Sequence, residues 1–85
     1  MINSKYIVIQ IGGGLQMPII FSSLQQHDVV ARPFGGKVLG AGFCVIYLDD
    51  SGRPKYDCYG ESVSLDIKSR GEVDAQVLNR MLGVV

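Results

Sequence analysis

Three consecutive glycines divide the first apolar segment of the chain into two runs. Lys5 to Ile11 precedes Gly12-Gly13-Gly14, and Leu15 to Phe21 follows it. Because glycine adopts positive φ without steric cost, this pattern predicts a β-hairpin that turns at the glycines. Ile11 then faces Leu15, and the two strands share one apolar face, made of Ile7, Ile9, Ile11, Leu15, Met17 and Ile19. Pro18 cannot donate a hydrogen bond within a sheet, so we expect the second strand to be an edge strand.

A second hairpin is predicted around Asp50-Ser51-Gly52, after a long strand from Lys37 to Leu48. If Asp49 faces Arg53, the apolar side chains of both strands fall on one face, made of Cys44, Ile46, Leu48, Tyr56 and Cys58. A shift of one residue would place Lys55 and Asp57 on that face, so the first register is favoured. In that register Cys44 and Cys58 are direct neighbours across the hairpin.

The spacing of apolar residues changes parity at Gly60-Glu61. Tyr56 and Cys58, just before this point, have even numbers, whereas Val63, Leu65 and Ile67, just after it, have odd numbers. A β-bulge at Gly60-Glu61 would return the later residues to the same face. We therefore expect one long, bent hairpin, with Gly40 and Gly42 on the opposing strand near the bend.

Two helices are predicted, one after each hairpin. Ser22 and Ser23 each precede a glutamine by three residues, which is the capping-box spacing, and they predict a helix from Leu24 to Ala31 that ends before Pro33. Ser69 and Glu72 form a second capping box, with acidic Glu72 and Asp74 near the helix start. The apolar stripe of this helix is Ala75, Leu78, Met81 and Leu82, and Gly83 ends it.

The order strand, strand, helix, strand, strand, helix predicts an α+β fold. We expect a four-stranded, mainly antiparallel sheet of two hairpins with two helices, ββαββα, in a single domain over residues 1–85. With 85 residues, the chain is too short for more than one domain.

The charge balance argues against some classes of partner. Eight basic and eight acidic side chains give a net charge of zero, whereas proteins that coat DNA or anionic lipid carry a clustered positive field. No apolar run is long enough to span a membrane, and no signal peptide is recognised. We expect a cytoplasmic protein whose two cysteines are thiols.

Several short motifs resemble catalytic or phosphate-binding signatures, but each lacks a required residue. The glycine triplet has Met17 where a dinucleotide fingerprint needs glycine, and Gly35-Gly36-Lys37 is followed by Val38 rather than Ser or Thr. Residues 60–64 resemble a nucleophile elbow, but Ser64 replaces its last glycine. We predict that the protein is not an enzyme and that it uses no cofactor or metal.

His27, Glu61 and Asp57 are the only side chains that could be assembled into a catalytic set, and nothing in the sequence brings them together. For His27 a capping or half-buried position is favoured over catalysis. For Cys44 and Cys58, packed thiols are favoured over a redox pair.

The second hairpin is apolar on both faces. Opposite the predicted core lies a candidate interaction face, which we define as Phe43, Val45, Tyr47 and Tyr59. Either the first helix or the sheet twist covers this face, or the face binds a second copy of the chain or another protein. An alternative function is binding of single-stranded nucleic acid, with bases stacking on the aromatic rings and phosphates contacting Lys55, Lys68 and Arg70.

Two stretches carry a resemblance to known proteins: Pro18-Ile19-Ile20-Phe21 through Gln26-His27-Asp28, and Gly60-Glu61-Ser62-Val63-Ser64-Leu65 to Lys68-Ser69-Arg70. Together they resemble short proteins of bacterial prophage regions, a group without an assigned activity. The resemblance implies a bacterial or phage cytoplasm, and it assigns no catalytic residue.

Overall fold

A computed structural model describes residues 2–83 and shows an α+β fold. Four antiparallel strands form the main sheet, in the order β2-β1-β3-β4, and a separate two-stranded sheet follows in the chain. The elements are β1 (Ile2–Ile11), β2 (Leu15–Phe21), α1 (His27–Ala31), β3 (Lys37–Leu48), β4 (Pro54–Tyr59), β5 (Glu61–Ser62), β6 (Ile67–Lys68) and α2 (Glu72–Leu82).

The first hairpin has the predicted register. Ile11 faces Leu15 and Ile7 faces Ile19, and the glycines between the strands form a single 3-10 turn. Gly13 and Gly14 both have a φ of 75°, which L side chains rarely adopt, so the turn needs glycine there. β2 is an edge strand, as Pro18 predicts, and β1 lies between β2 and β3.

The second hairpin also has the predicted register, with Cys44 opposite Cys58 and Leu48 opposite Pro54. Asp49 holds the turn together, because its Oδ1 accepts hydrogen bonds from the backbone N–H groups of Ser51 and Arg53 at 2.9 and 3.0 Å. Aspartate is common in turns because its carboxylate can accept hydrogen bonds from backbone N–H groups a few residues further along the chain.

The predicted bulge at Gly60-Glu61 is wrong, because the chain leaves the main sheet there. Gly60, with a φ of 79°, turns the chain away, and Ser69 N–H donates to Gly60 O at 2.9 Å. Residues 61–68 form the small β5–β6 hairpin instead of extending β4. Leu65 and Ile67 therefore pack on the opposite face of the sheet from Tyr56 and Cys58.

Gly42 has a structural role other than the one predicted. A Cβ at this position would lie 2.5 Å from Tyr59 O and 3.3 Å from Glu61 N. The glycine thus makes room for the backbone where it leaves β4, rather than for a bend within a continuous hairpin.

The first helix is shorter than predicted: it begins at His27 rather than Leu24. Neither serine caps it, since the N-cap residue is Gln26. Ser22 instead forms a turn of its own: its Oγ accepts a hydrogen bond from Leu24 N–H, and its carbonyl oxygen accepts one from Gln25 N–H. Serine side chains often bond to nearby backbone in this way, and the bond competes with capping. The predicted end of the helix is confirmed, with Ala31 as its last residue.

The second helix spans Glu72–Leu82, close to its prediction, but its start differs. Ser69 does not cap it; Gly71 is the N-cap residue, and Ser69 Oγ accepts a hydrogen bond from Gly71 N–H at 3.0 Å. Ala75 and Leu78 are buried as expected, whereas Met81 and Leu82 are partly exposed. Val77 lies nearer to the core than either of these two.

The two helices lie on opposite faces of the sheet. α2 covers the face formed by Tyr6, Val8, Cys44 and Tyr56. The other face, built around Ile7, Ile9 and Ala41, packs against Ala31 of α1 and against Leu65 and Ile67. Residues 61–68 thus supply the cover that α1 alone is too short to give.

A buried polar network joins α2 to the first hairpin. Asp74 is fully buried, and its carboxylate accepts hydrogen bonds from the Tyr6 hydroxyl at 2.5 Å, Arg70 N–H at 2.8 Å and Arg70 Nε at 2.6 Å. Arg70 Nη2 also donates to Gln16 Oε1 at 2.8 Å. Burial, followed by the bond to Asp74, raises the pKa of Tyr6. These three hydrogen bonds offset part of the cost of burying the Asp74 carboxylate.

α2 also covers the outer edge of β4. The Asn79 side chain accepts a hydrogen bond from Tyr56 N–H at 2.9 Å and donates one to Tyr56 O at 3.1 Å. One amide side chain thus satisfies both backbone groups that a further strand would use at this residue.

Candidate interaction pocket

A pocket of about 580 Å³ opens where β1, β3 and β4 meet the start of α1 and the β5–β6 hairpin. Its lining residues are Lys5, Gln26, His27, Phe43, Tyr59, Gly60, Glu61, Val63 and Ser64. The volume lies within the range of ligand pockets in proteins, roughly 300–1,000 Å³. We call this feature the aromatic pocket.

Two stacked rings form the aromatic part of the pocket. Phe43 and Tyr59 are paired across β3 and β4, and their ring centroids lie 5.9 Å apart at an interplanar angle of 28°. Tyr59 is 48% exposed, although it stands beside a half-buried phenylalanine. The pair therefore presents an aromatic surface to anything that enters the pocket.

His27 is the most deeply buried side chain of the pocket, with 4% of its surface exposed. Its ring meets Phe21 and Phe43 edge to face, at centroid distances of 5.3 and 6.0 Å. Nε2 lies 2.8 Å from Gly42 O, and since a carbonyl only accepts, Nε2 carries the proton. Nδ1 forms no hydrogen bond with residues 2–83.

The pKa of His27 is lowered from its usual value of 6.5. Burial is the main cause and the bond to Gly42 opposes it, while the charge of Lys5 lowers the pKa and that of Asp28 raises it. The ring is therefore neutral near pH 7, and its Nδ1 is a hydrogen-bond acceptor.

Two contacts hold the walls of the pocket in place. Asp28 N–H at the start of α1 donates to Ser64 Oγ at 3.2 Å, which ties the helix to the β5–β6 hairpin. Lys5 Nζ donates to Gln25 O at 2.7 Å, which ties β1 to the turn before the helix. Three segments that are distant in sequence thus meet at one opening.

The candidate interaction face is divided by the structure. Phe43 and Tyr59 line the aromatic pocket, whereas Val45 and Tyr47 lie further along the same face, half-buried and outside the pocket. Their neighbours on β4 are Asp57 and Lys55, respectively. The aromatic end of this face is therefore concave, and its other end is flanked by charges.

The three candidate catalytic residues are only partly brought together. His27 and Glu61 line the same pocket, but Asp57 does not. Ser62 is buried and accepts a hydrogen bond from Leu65 N–H at 3.2 Å, and no hydrogen bond between a serine and His27 is found in residues 2–83. A serine nucleophile activated by histidine needs such a contact.

The residues proposed to contact phosphates are dispersed. Arg70 lies on the α2 side of the sheet and is bonded to Asp74 and Gln16. Lys68 faces Glu61 in the β5–β6 hairpin, and Lys55 faces Tyr47. They do not form a continuous basic track beside the aromatic rings.

The cysteines pack side by side on the α2 face, as the register predicts, and both are free thiols. Burial raises the pKa of Cys44 to about 11 and is the main reason that the pKa of Cys58 is raised to about 12. Neither thiol is ionised near neutral pH, so neither is poised as a nucleophile.

The sequence analysis did not predict three polar members of the pocket, Lys5, Gln26 and Ser64. Lys5 was within reach of the prediction, because it has the parity of Ile7 and faces Phe21 in the register of the first hairpin. Ser64 was not, because its position depends on the departure of the chain from β4 at Gly60.

No protein-family model, no curated protein and no solved structure matches this chain. In the part of the chain that the structure describes, no helix is long and apolar enough to cross a membrane. Within residues 2–83 there is also no group of three or more His, Cys, Asp or Glu side chains that could hold a metal ion. The function is therefore argued from the geometry of the aromatic pocket.

Proposed function

We propose that this chain is a non-catalytic binding protein that takes a short segment of another protein into the aromatic pocket. The observation that carries the proposal is the half-exposed, stacked pair of Phe43 and Tyr59 in an open pocket beside the buried ring of His27. An apolar side chain entering there would lose its contact with water against rings that are already in place.

The pocket has the features of a protein-binding surface. Binding energy at such surfaces is concentrated where an aromatic or aliphatic side chain fills a pocket surrounded by less critical contacts. Val63 is 87% exposed beside the opening, and Leu24 is 94% exposed in the turn before α1. These two side chains offer apolar contacts to a segment that extends beyond the pocket.

The chemistry of the pocket supports binding rather than catalysis. His27 uses Nε2 to bond a backbone carbonyl, and Ser64 Oγ accepts the bond from Asp28 N–H. The pocket thus offers an aromatic surface, an acceptor nitrogen and a cation, without a nucleophile in contact with a base. The dispersal of Lys55, Lys68 and Arg70 favours a protein partner over single-stranded nucleic acid.

A prophage origin, which the resemblance implies, remains part of this proposal. In that setting the partner would be a host or phage protein. The balanced charge agrees with such a partner better than with nucleic acid, because it creates no long-range field that would attract phosphates.

The proposal is tested with an array of short random peptides probed by the wild-type chain and by Tyr59→Ser. Serine removes the exposed ring of the stacked pair, and a half-exposed side chain contributes little to folding. Phe34→Ser is the matched control, because Phe34 is an aromatic residue with 37% exposure that lies outside the pocket. We expect Phe34→Ser to retain the peptides bound by wild type and Tyr59→Ser to lose them.

Two results would overturn the proposal. One is a set of bound peptides that Tyr59→Ser retains. The other is a wild-type dimer, measured by light scattering over a range of concentrations, that Tyr59→Ser dissociates, because the pocket would then hold a second copy of the chain.

A further inference from the structure

We infer that the aromatic pocket selects a segment in which an acidic side chain stands next to an apolar one, with Lys5 as the partner of the carboxylate. The inference rests on the proposed function and adds the charge of the ligand to it. It is carried by the position of one lysine between aromatic residues and by the absence, within residues 2–83, of a carboxylate paired with that lysine.

Lys5 stands between two aromatic residues in the sheet. Its strand partners are Phe21 on β2 and Phe43 on β3, and all three side chains are half-buried. Its ammonium donates one hydrogen bond, to Gln25 O at 2.7 Å. A lysine ammonium has three N–H donors, so two are left for a ligand.

The charge of Lys5 is not paired inside the described structure. The ion pairs found in residues 2–83 are Arg32 with Asp28 and Arg70 with Asp74, and no carboxylate lies within 4.0 Å of Lys5 Nζ. Lys5 lowers the pKa of His27 and Asp28 raises it, so charges of both signs act on the buried part of the pocket. The hydrogen bond of the Lys5 ammonium to Gln25 O is exposed, so a carboxylate from solution can reach it.

Glu61 is the one acidic residue that lines the pocket, and it does not neutralise Lys5. It is exposed, its strand partner in the β5–β6 hairpin is Lys68, and it forms no ion pair with Lys5. Of the two charged side chains that line the pocket in residues 2–83, Lys5 is therefore the one that lies between aromatic residues of the sheet.

A carboxylate fits this site better than a phosphate group does. Phosphate recognition typically uses arginine clusters that donate in pairs, and both Arg32 and Arg70 are engaged with aspartates. One ammonium beside aromatic rings matches a single negative charge attached to an apolar group. The open form of the pocket lets a continuous chain cross it, so we assign the carboxylate to an acidic side chain.

Three short peptides test this inference: acetyl-Phe-Glu amide, its uncharged counterpart acetyl-Phe-Gln amide, and acetyl-Phe-Gln with a free terminal carboxylate. Binding is followed by the amide shifts of the pocket residues in NMR titrations at neutral pH. We expect the Glu peptide to bind about two- to fivefold more tightly than the Gln amide, the range for an ion pair still in contact with solvent.

The preference should depend on Lys5 alone. Lys5→Gln keeps a hydrogen-bond donor but removes the charge, so the two amide peptides should then bind equally. Lys55→Gln is the matched control, because Lys55 is an exposed lysine on β4 that does not line the pocket. This control should keep the preference.

The inference fails if the Glu peptide and the Gln amide bind wild type equally, or if the preference persists in Lys5→Gln. It also fails if the free terminal carboxylate binds as tightly as the Glu peptide, because the site would then recognise a chain end. In each of these cases, peptide binding that Tyr59→Ser abolishes would leave the proposed function standing. Absence of any shift with all three peptides would overturn the inference, and the peptide array would judge the function separately.

Discussion

Gly40→Ala should strongly destabilise the protein because Gly40 lies directly beneath the buried carboxylate of Asp74. A Cβ at this position would overlap Asp74 Oδ2 and would lie 2.7 Å from both Asp74 Cγ and Oδ1. To reach ordinary van der Waals separation, the carboxylate would have to move by more than about 1 Å. It has no free direction, because it is fully buried and bonded to Tyr6 and Arg70.

The size of the effect follows from the bonds that such a movement would break. Each hydrogen bond to a charged group contributes about 1.5–3 kcal/mol, and displacing the carboxylate would cost two of the three that it accepts. Alanine also reduces the conformational entropy of the unfolded chain, which stabilises the folded protein by about 0.5–1 kcal/mol. We therefore expect a net loss of about 2–5 kcal/mol, from a total of about 4–13 kcal/mol for a domain of this size.

Urea unfolding followed by circular dichroism measures this loss. Gly35→Ala is the matched control, because a Cβ at Gly35 meets nothing within 4 Å and its φ is not positive. The control should be neutral or slightly stabilising. A Gly40→Ala variant within about 1 kcal/mol of this control would refute the steric argument, since that is the scatter expected of an ordinary substitution.

A double-mutant cycle identifies the group that Gly40→Ala displaces. In an Asp74→Ala background the carboxylate is absent, so the added methyl group should cost much less. We expect a coupling free energy of about 2 kcal/mol or more between the two positions. Additive effects would show that the methyl group strains something other than Asp74.

Three further predictions concern the β4 edge, the buried histidine and the thiols. Asn79→Ala removes the hydrogen bonds to both backbone groups of Tyr56, so urea unfolding should show a loss of about 1–3 kcal/mol in the free energy of unfolding. Light scattering should show association through the exposed edge of β4. Unchanged stability and molar mass would contradict this prediction. The lowered pKa of His27 means that the unfolded chain binds more protons, so the stability contribution is complete above about pH 6.5 and declines as the pH falls toward the folded-state pKa. His27→Gln should lack this slope in urea titrations. Because Cys44 is fully buried and its pKa is raised, a disulfide reagent should label this thiol only as fast as the fold opens; rapid labelling of Cys44 that urea does not accelerate would argue against it.

Strand pairing was predictable from the sequence because two independent signals agree. The glycine triplet and the Asp50-Ser51-Gly52 turn each set a register, and the alternation of apolar residues selects the same one. A slip of one residue would invert every side chain, so errors of register are heavily penalised. Pro18 predicts that β2 is an edge strand, which leaves β1 to pair with the second hairpin; that its partner is β3 rather than β4 was not predicted.

The region after Tyr59 was not predictable in the same way. The change of parity at Gly60 is equally compatible with a bulge within a strand and with a departure from the sheet. The second outcome is favoured because the face above Ala41 needs cover, and Leu65 and Ile67 supply it. This is a tertiary requirement, and it leaves no local signal in residues 61–68.

The burial of Asp74 was also beyond local reasoning. Near the start of a helix, an aspartate is ordinarily explained by the helix dipole and by contact with solvent. Here Tyr6 of β1 and Arg70, which precedes α2, bond to the carboxylate, and Gly40 of β3 leaves room for it. The carboxylate can be buried because these residues, which are distant in sequence, lie together in the folded chain.

The candidate site was half predictable for related reasons. The even-odd alternation of β3 and β4 places Phe43 and Tyr59 on the face opposite Cys44 and Tyr56, which the sequence shows directly. It does not show that this face becomes concave at one end, since the far wall comes from α1 and from residues 61–68. His27 and Glu61 share the pocket for that reason, and Asp57, which belongs to the flatter end, does not.

Residues 61–68 contact both the aromatic pocket and the apolar cluster around Ile7, Ile9 and Ala41. Leu65 and Ile67 pack against the sheet, while Val63 and Ser64 of the same segment line the opening. The segment is held by a two-stranded sheet, by the bond from Ser69 to Gly60 and by the bond from Asp28 to Ser64. A ligand that contacts both walls binds only when this segment is packed, so its binding free energy also stabilises the packed segment. If the proposed partner binds there, its affinity is therefore linked to the packing of Leu65 and Ile67 against the sheet, although neither side chain lines the pocket.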